Sequence, residues 1–439
     1  MKTLFSSALA HLFTLALLFS CAEPMEQSLT NKKEALLAQR ELQTKAINDQ
    51  LSRGIGETEV KNYLSCWLNI SEQEIKDITR YDISKEVYVF IVNLKNGHWY
   101  MFSGDYTTEP LIAKGDGVFN LDFENDRSHY LEHWFETIQD KILDNRYHPE
   151  KESVNKNKKR WAVAQRIAQS RRDDDTTEVE SILILDTLNY GYCPGLTVTQ
   201  WDENLPFNDA LPLYEPNEHC FAGCAVVAIA QLIYYTHFAL GYPNDIYESA
   251  SCSQYYNAAG TPPYAYSFNN PSTTCWNLMG LTASANYLTP YVAALYALVA
   301  QRSNTEYVLD EGIGVGNTSV NSVSSTLSSF LLYGANNTTY NRGIVMSEIN
   351  NDRPVLVTGG SSLYNTIGHT FLYDGYEWMR LRWTEIVMDL NGNTLDIIQD
   401  LDEFYSVRIN TGESIGGHII WDYSDSYYSY NRVLFVGWE

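Results

Sequence analysis

The chain has 439 residues, long enough for two domains, each with its own core. Its 54 acidic and 30 basic residues give a formal net charge of -24, which repels phosphate and argues against a nucleic-acid partner. Its cysteines show no close paired metal-ligand spacing, and no second pair of suitable ligands follows Cys220 and Cys224, so no metal centre is expected.

The first element in chain order is an export signal. Met1-Lys2-Thr3 supplies one positive charge, and residues 4–19 form an apolar run too short for a stable membrane span. Leu18-Phe19-Ser20-Cys21 resembles a lipobox, in which a lipoprotein peptidase cuts before a diacylated cysteine. Residues 1–21 therefore read as a lipoprotein signal peptide, with Cys21 as the membrane anchor and polar residues 23–33 as a tether. That places the protein outside the cytoplasm, lipid-anchored in the outer membrane or on the surface of a bacterium. An ordinary secretory signal is the plainer alternative.

Residues 22–150 read as a small α+β domain. Helical character is expected over 57–68 and 71–79. Val87 to Val92 is a strand, Asn96-Gly97 a hairpin turn, and His98 to Phe102 the returning strand. Residues 111–114 add a further strand, and 130–143 a helix with Leu131, Trp134, Phe135 and Ile138 on its apolar face. Residues 151–190 are charged and poor in hydrophobic continuity, which reads as an exposed linker with partial helix over 161–167 and a possible processing site.

Residues 191–439 form the C-terminal domain. Helices are expected over 222–235, 291–300 and 323–332, followed by strands over 354–357, 368–373, 378–390, 404–409 and 432–436. Helices first and antiparallel strands second is an α+β order. Cys252 and Cys275 bracket a loop rich in Tyr, Gly and Pro and are candidates for a disulfide in an oxidising compartment. The tyrosine-rich loops 255–268 and 423–430 are candidates to line a peptide groove, or else ordinary surface loops.

Two segments of this domain carry chemistry. In Gly223-Cys224-Ala225-Val226-Val227-Ala228-Ile229-Ala230-Gln231 a cysteine heads an apolar helix. The first-turn amides of a helix have no intrahelical partner, and the dipole adds positive potential there, so a thiol at that place gains thiolate character. In Gly368-His369-Thr370-Phe371-Leu372-Tyr373-Asp374-Gly375-Tyr376 a histidine sits on a short strand read as ending in an Asp-Gly turn. A helix-borne cysteine and a distant strand-borne histidine are the parts of a thiol nucleophile and its base. A buried structural cysteine and a surface histidine are the plainer readings.

These motifs resemble the streptopain family of bacterial cysteine peptidases, which belongs to the papain-like clan. Thr199-Gln200-Trp201-Asp202-Glu203-Asn204-Leu205-Pro206-Phe207-Asn208 is similar to the family's segment before the cysteine helix, and Arg353-Pro354-Val355 to the segment before its histidine strand. The resemblance implies a papain-like α+β fold, an N-terminal propeptide-like domain, a Cys224–His369 dyad, and a latent precursor that hydrolyses peptide or protein substrates without metal or organic cofactor. It implies that Asn410 orients the imidazole. Asp374 is expected only to cap its turn.

Two segments depart from the family. Glu203 stands where a glutamine amide would face the oxyanion, and an ionised carboxylate repels the charge that an amide would stabilise. Thr411 and Glu413 replace two tryptophans, so the imidazole is expected to lack its aromatic shield and sit in a wetter site, unless Trp421 folds back over it. The alternative reading is thus a catalytically weakened or inactive homologue that binds peptide or glycan at the cell surface. No feature of the sequence specifies an oligomeric state.

Overall fold

The computed structural model describes residues 54–119, 129–171, 179–238, 279–282, 289–310, 313–330, 336–360, 368–389, 391–412 and 419–437, with scattered residues between 34 and 52. The signal and lipobox, Cys252, Cys275, Glu413 and the loop 255–268 lie outside them. The elements are α1 (Glu57–Trp67), β1 (Ile75–Asp82), β2 (Tyr88–Leu94), β3 (His98–Ser103), β4 (Leu111–Asp116), α2 (His129–Tyr147), α3 (Glu152–Arg171) and β5 (Val179–Cys193). Then come β6 (Leu213–Glu215), β7 (Glu218–His219), α4 (Cys224–Phe238), α5 (Thr289–Arg302), β8 (Glu306–Asp310), β9 (Ile313–Asn317) and α6 (Val320–Ser329). The chain continues with β10 (Asn336–Thr339), α7 (Arg342–Asn350), β11 (Val355–Gly360), β12 (Gly368–Asp389), β13 (Thr394–Asn410), β14 (Ile419–Asp422) and β15 (Tyr430–Val436).

The chain divides into two compact units. The larger holds residues 71–157, 187–381 and 403–439. Its sheet runs β1-β2-β3-β4-β14-β13-β12-β11-β15-β10, with β5 also paired to β12. The N-terminal meander β1–β4 and the C-terminal strands are therefore one sheet, joined where Ile420 to Asp422 pair antiparallel with Gly115 to Ala113. Two apolar clusters form in this unit. One gathers β2–β4, the apolar stripe of α2 and the inner face of β11–β13, with Trp134, Ile138, Phe371 and Val407 buried in it. The other surrounds α4, whose small residues Ala228 and Ala230 let it pack against α5. Helices and antiparallel strands combine here in the expected α+β architecture.

The smaller unit holds residues 1–70, 158–186 and 382–402. Here the segment expected to be a charged linker carries the C-terminal part of the 20-residue helix α3 and the start of the 15-residue strand β5. Its charges are not simply solvated. Arg160 makes two 2.5 Å bonds to the Asp402 carboxylate, and Arg166 pairs with the fully buried Glu385 at 3.0 and 2.8 Å. Trp161 packs on Tyr63 at 5.3 Å, and Val163 and Ile167 bury against Trp383.

Residues 71–79 are not helical. A single 3-10 turn, Glu72–Glu74, is closed by the Glu74 carboxylate bonding the Ser71 N–H at 2.8 Å, and β1 follows. The β-branched Ile75, Ile78 and Thr79 suit the pleated pairing with β2, which overrides the weak helical preference.

Candidate active site

Everything in this section lies within the larger unit. Cys224 is the first residue of α4, because Gly223 starts the helix: its carbonyl accepts from Val226 and Val227 N–H at 2.9 and 3.2 Å. Gly223 has φ +86, and a Cβ there would lie 2.2 Å from the Gly316 carbonyl oxygen, so only glycine fits this start. Gly316 belongs to the β8–β9 hairpin, which has no counterpart among the expected elements. The hairpin grips the lead-in to the helix through Phe221 N–H to Gly314 O at 2.7 Å and Gly316 N–H to Phe221 O at 3.0 Å. Nearby Cys220 is buried, and burial pushes its thiol up to about 12, the behaviour of an inert structural cysteine. Cys224 is half-buried instead. Its Sγ accepts the Thr370 N–H at 3.3 Å, which brings the sulfur to the strand segment that carries His369.

His369 sits in the first turn of pairing between β12 and β11, opposite Gly359. Its Nε2 lies 3.0 Å from the Thr411 carbonyl oxygen. A carbonyl only accepts, so Nε2 carries the proton in the neutral ring and Nδ1 is the basic nitrogen. Thr411 thus contributes through its backbone. The Asn410 side chain reaches the segment before Trp201 and the turn after Thr411, not the ring itself. Its side-chain amide donates to Thr199 O at 2.8 Å and to Thr197 Oγ1 at 3.1 Å, while its oxygen accepts from Gly412 N–H at 3.4 Å.

The site is not wet. His369 is 1% exposed, with Phe371, Tyr427 and Tyr428 rings at 5.6, 5.8 and 5.0 Å. Burial pushes its imidazole down to about 3; the Thr411 bond opposes this, and His133 on α2 adds to it. The expectation of a wetter, unshielded site fails because Phe371 of β12 and Tyr427 and Tyr428 of the loop before β15 surround the imidazole. Trp421 does not fold back: it stacks on Tyr192 at 5.9 Å, with the Lys114 ammonium over it at 5.4 Å. The loop 423–430 is correspondingly not a surface groove at its centre, since Tyr427 and Tyr428 are buried. Helix α2 holds this loop. Trp134 packs edge-on to Tyr427 at 5.4 Å and donates from Nε1 to Ser426 Oγ at 3.2 Å; the Lys141 ammonium bonds the Ser424 carbonyl, and Tyr430 OH donates to Asp140 at 3.3 Å.

Glu203 is 3% exposed. Its own carbonyl accepts the Ala222 N–H at 3.1 Å, which ties its segment to the residues just before Cys224. Asp202 beside it is also buried, and burial pushes its carboxyl up to about 6 against the opposing bond from Asn204 N–H. The hydroxyl of Tyr296, on α5, donates to Asp202 O at 3.1 Å and is raised well above its ordinary value by burial and by these two acids. The Gln200 backbone N–H bonds Leu281 O at 2.7 Å.

Asp374 is not at a turn. It lies inside β12, fully buried, and its Oδ2 accepts from Thr197 N–H at 3.0 Å, from the Thr197 hydroxyl and from the Arg408 guanidinium. Gly375 follows because residues 193–195 cross there: a Cβ on it would meet Cys193 O at 2.8 Å and Gly195 Cα at 3.1 Å. Sequence reasoning misses this crossing, since Asp-Gly is a stronger turn signal than a crossing signal. Among the described residues there is no cluster of His, Cys, Asp and Glu that would hold a metal ion.

No curated protein matches the chain in sequence. Among solved structures, a mutant fragment of Prevotella intermedia prointerpain A aligns with a TM-score of 0.53 at 16% identity, over 82% of this chain and 98% of that one. The active wild-type Prevotella intermedia interpain A cysteine protease aligns with a TM-score of 0.40 at 20% identity, over 56% of this chain and 94% of that one. Residues 201–392 match the model of the Peptidase C10 family, and this segment spans Glu203, Cys224 and His369. Residues 201–392 are thus similar to the Peptidase C10, or streptopain, family that the motifs resemble, and the likeness to the prointerpain A fragment supports the expected papain-like α+β fold.

Proposed function

We propose that this chain is a cysteine endopeptidase made as a latent precursor, with Cys224 as nucleophile and His369 as general base and acid. The observation that carries the reading is the meeting of a helix-start thiol with the histidine strand, through the 3.3 Å bond from Thr370 N–H to Cys224 Sγ. In the reaction, the Cys224 proton passes to His369 Nδ1 and the thiolate adds to a peptide carbonyl carbon. The tetrahedral intermediate collapses with loss of the amine, which takes the proton back from the imidazolium. Water then gives a proton to His369 and adds to the thioester, releasing the acid and restoring the thiol. The Cys224 amide at the start of α4 is one donor for the oxyanion.

Latency is supported by the environment of His369. A ring held near a pKa of 3 forms no stable imidazolium at neutral pH, so thiolate–imidazolium pairing is suppressed while Tyr427 and Tyr428 enclose it. The loop that carries those rings is held by α2 of the propeptide-like part, which packs on Tyr427 directly. Processing within residues 151–190 and removal of that part would unlock the loop. The proposal includes the domain limits given above, export, and attachment to a bacterial membrane through lipidated Cys21.

Glu203 favours the second reading, a weakened or inactive homologue that binds peptide or glycan. Its carboxyl is buried beside the cysteine helix, where an ionised group opposes an oxyanion. A thiol-directed peptide electrophile applied to the intact and the clipped chain decides between them. Labelling at Cys224 in the clipped chain, with turnover of a peptide library, supports the peptidase; peptide binding with neither labelling nor turnover supports the binder.

A further inference from the structure

Asp374, Thr197, Arg408 and Asn410 are four buried or nearly buried polar residues that the reaction itself does not use. They come from three pieces of chain: the histidine strand β12, the strand β13 that ends at Asn410, and the segment that leads to Glu203. The Thr197 hydroxyl is their hub. It donates to Asp374 Oδ2 and accepts from Asn410 Nδ2 at 3.1 Å. Arg408 closes the ring by donating to Asp374 and, at 3.5 and 3.4 Å, to the Thr197 carbonyl. The Leu196 N–H bonds the Asp374 carbonyl at 2.9 Å. Gly195, at φ +117, has a Cβ position only 2.2 Å from Arg408 Nη1, so the backbone itself makes room for the guanidinium.

The geometry points to a positioning network: these residues fix the segment 197–203 against the strand of His369 and thereby set where Glu203 meets the oxyanion. The inference rests on the peptidase reading above. The segment is held at both ends. At one end Thr197 and Thr199 are bound to Asp374 and Asn410; at the other the Glu203 carbonyl accepts from Ala222, two residues before Cys224. Asn410 also bonds the turn whose Thr411 carbonyl holds the imidazole, so one side chain registers the histidine and the oxyanion segment together. All three donors to Asp374 converge on Oδ2, while Oδ1 is buried with no hydrogen-bond partner among the described residues. A carboxylate loaded on one oxygen by a cation is a directional clamp rather than a diffuse charge. Asp374 lies five residues along the strand from His369 and touches no reacting atom, so its effect on chemistry passes through Thr197.

The test uses the processed chain and the variant Thr197→Val, which keeps shape and backbone N–H but loses the hub hydroxyl, beside Thr197→Ser, which keeps it. The readouts are kcat and KM for a peptide substrate, affinity for a peptide aldehyde, the rate of Cys224 alkylation by iodoacetamide, and thermal stability. Because the Glu203 carboxylate opposes the oxyanion, releasing its segment raises kcat by up to about 10-fold with little change in KM, and tightens the aldehyde similarly, because its hemithioacetal carries the same oxygen. Alkylation, which needs only the thiolate, stays at the wild-type rate, and Thr197→Ser returns turnover to the wild-type value; a fall in kcat with alkylation unchanged overturns the inference. A loss of thermal stability with kcat and aldehyde affinity unchanged shows a purely structural role and overturns the inference. Equal loss in alkylation and turnover also overturns it, since the effect then lies on the thiol. Wild-type protein that is alkylated yet neither turns over peptide nor binds the aldehyde removes the peptidase reading, and the positioning role with it.

Discussion

Cys224 and His369 lie on facing elements in opposite environments. The cysteine is half-buried at a helix start, where amides and dipole favour thiolate. The histidine is sealed among three aromatic rings and driven toward its neutral form. On the reading proposed above, the nucleophile is prepared in the precursor and the base is not, which places the barrier to activity in the loop 424–430 and in what holds it rather than in the cysteine helix.

The largest expected effect breaks the comparison at the cysteine. Cys224→Ala in the clipped chain should abolish labelling by a peptide electrophile and lower turnover by about 10⁴-fold or more, read by mass spectrometry and peptide hydrolysis. Turnover surviving that change would place the nucleophile elsewhere. Next comes the neighbouring acid. Glu203→Gln should raise turnover by roughly 10- to 100-fold, the scale of one oxyanion donor. No change would mean that the Glu203 side chain does not face the oxyanion.

A smaller effect sharpens the histidine side. Trp134→Ala removes the ring and the Nε1–H that brace Tyr427 and Ser426, so the intact precursor should gain about 10-fold in basal turnover, approaching one part of the latency. Equal latency in this variant would show that α2 does not hold the loop. The smallest effect on catalysis concerns pH and stability. His369 folded takes up its proton near pH 3 and unfolded near 6.5, so the unfolded chain binds more protons between these values. Stability of the precursor should therefore fall as pH falls below about 6.5, and His369→Gln should flatten that slope in thermal melts. Asp202 has the opposite sign. Its folded value is raised, so its burial costs stability as pH rises through about 6, and Asp202→Asn should stabilise the chain at neutral pH by about 1–3 kcal/mol.

Much of this site was legible in the sequence where a local pattern dictates local structure. Gly223-Cys224 marks a helix start because only glycine fits before it, and the alternation around His369 marks a strand. The paired strands β2 and β3 follow from Asn96-Gly97, whose glycine has φ +82. What escaped depends on partners distant in sequence. The aromatic cover of His369 comes from Tyr427 and Tyr428, and no spacing rule links those residues to a histidine near position 369. Asn410 is expected from the resemblance to orient the imidazole, yet its amide bonds Thr197 and Thr199 while the Thr411 carbonyl meets the ring. Helix α3 looked like a solvated linker because Arg160 and Arg166 are among its inward-facing residues, and their partners Asp402 and Glu385 lie over two hundred residues away.

The pairing of β4 with β14 has a consequence for mass action. While the chain is intact, the two edges meet at an effective concentration set by the tether, and their union is independent of dilution. A single cut within residues 172–178 breaks none of the hydrogen bonds between Ala113–Gly115 and Ile420–Asp422. It turns a unimolecular contact into a bimolecular one. From then on the fraction of molecules in which β4 still pairs with β14 should depend on how far the severed pieces are diluted, and should rise again when a nicked sample is concentrated.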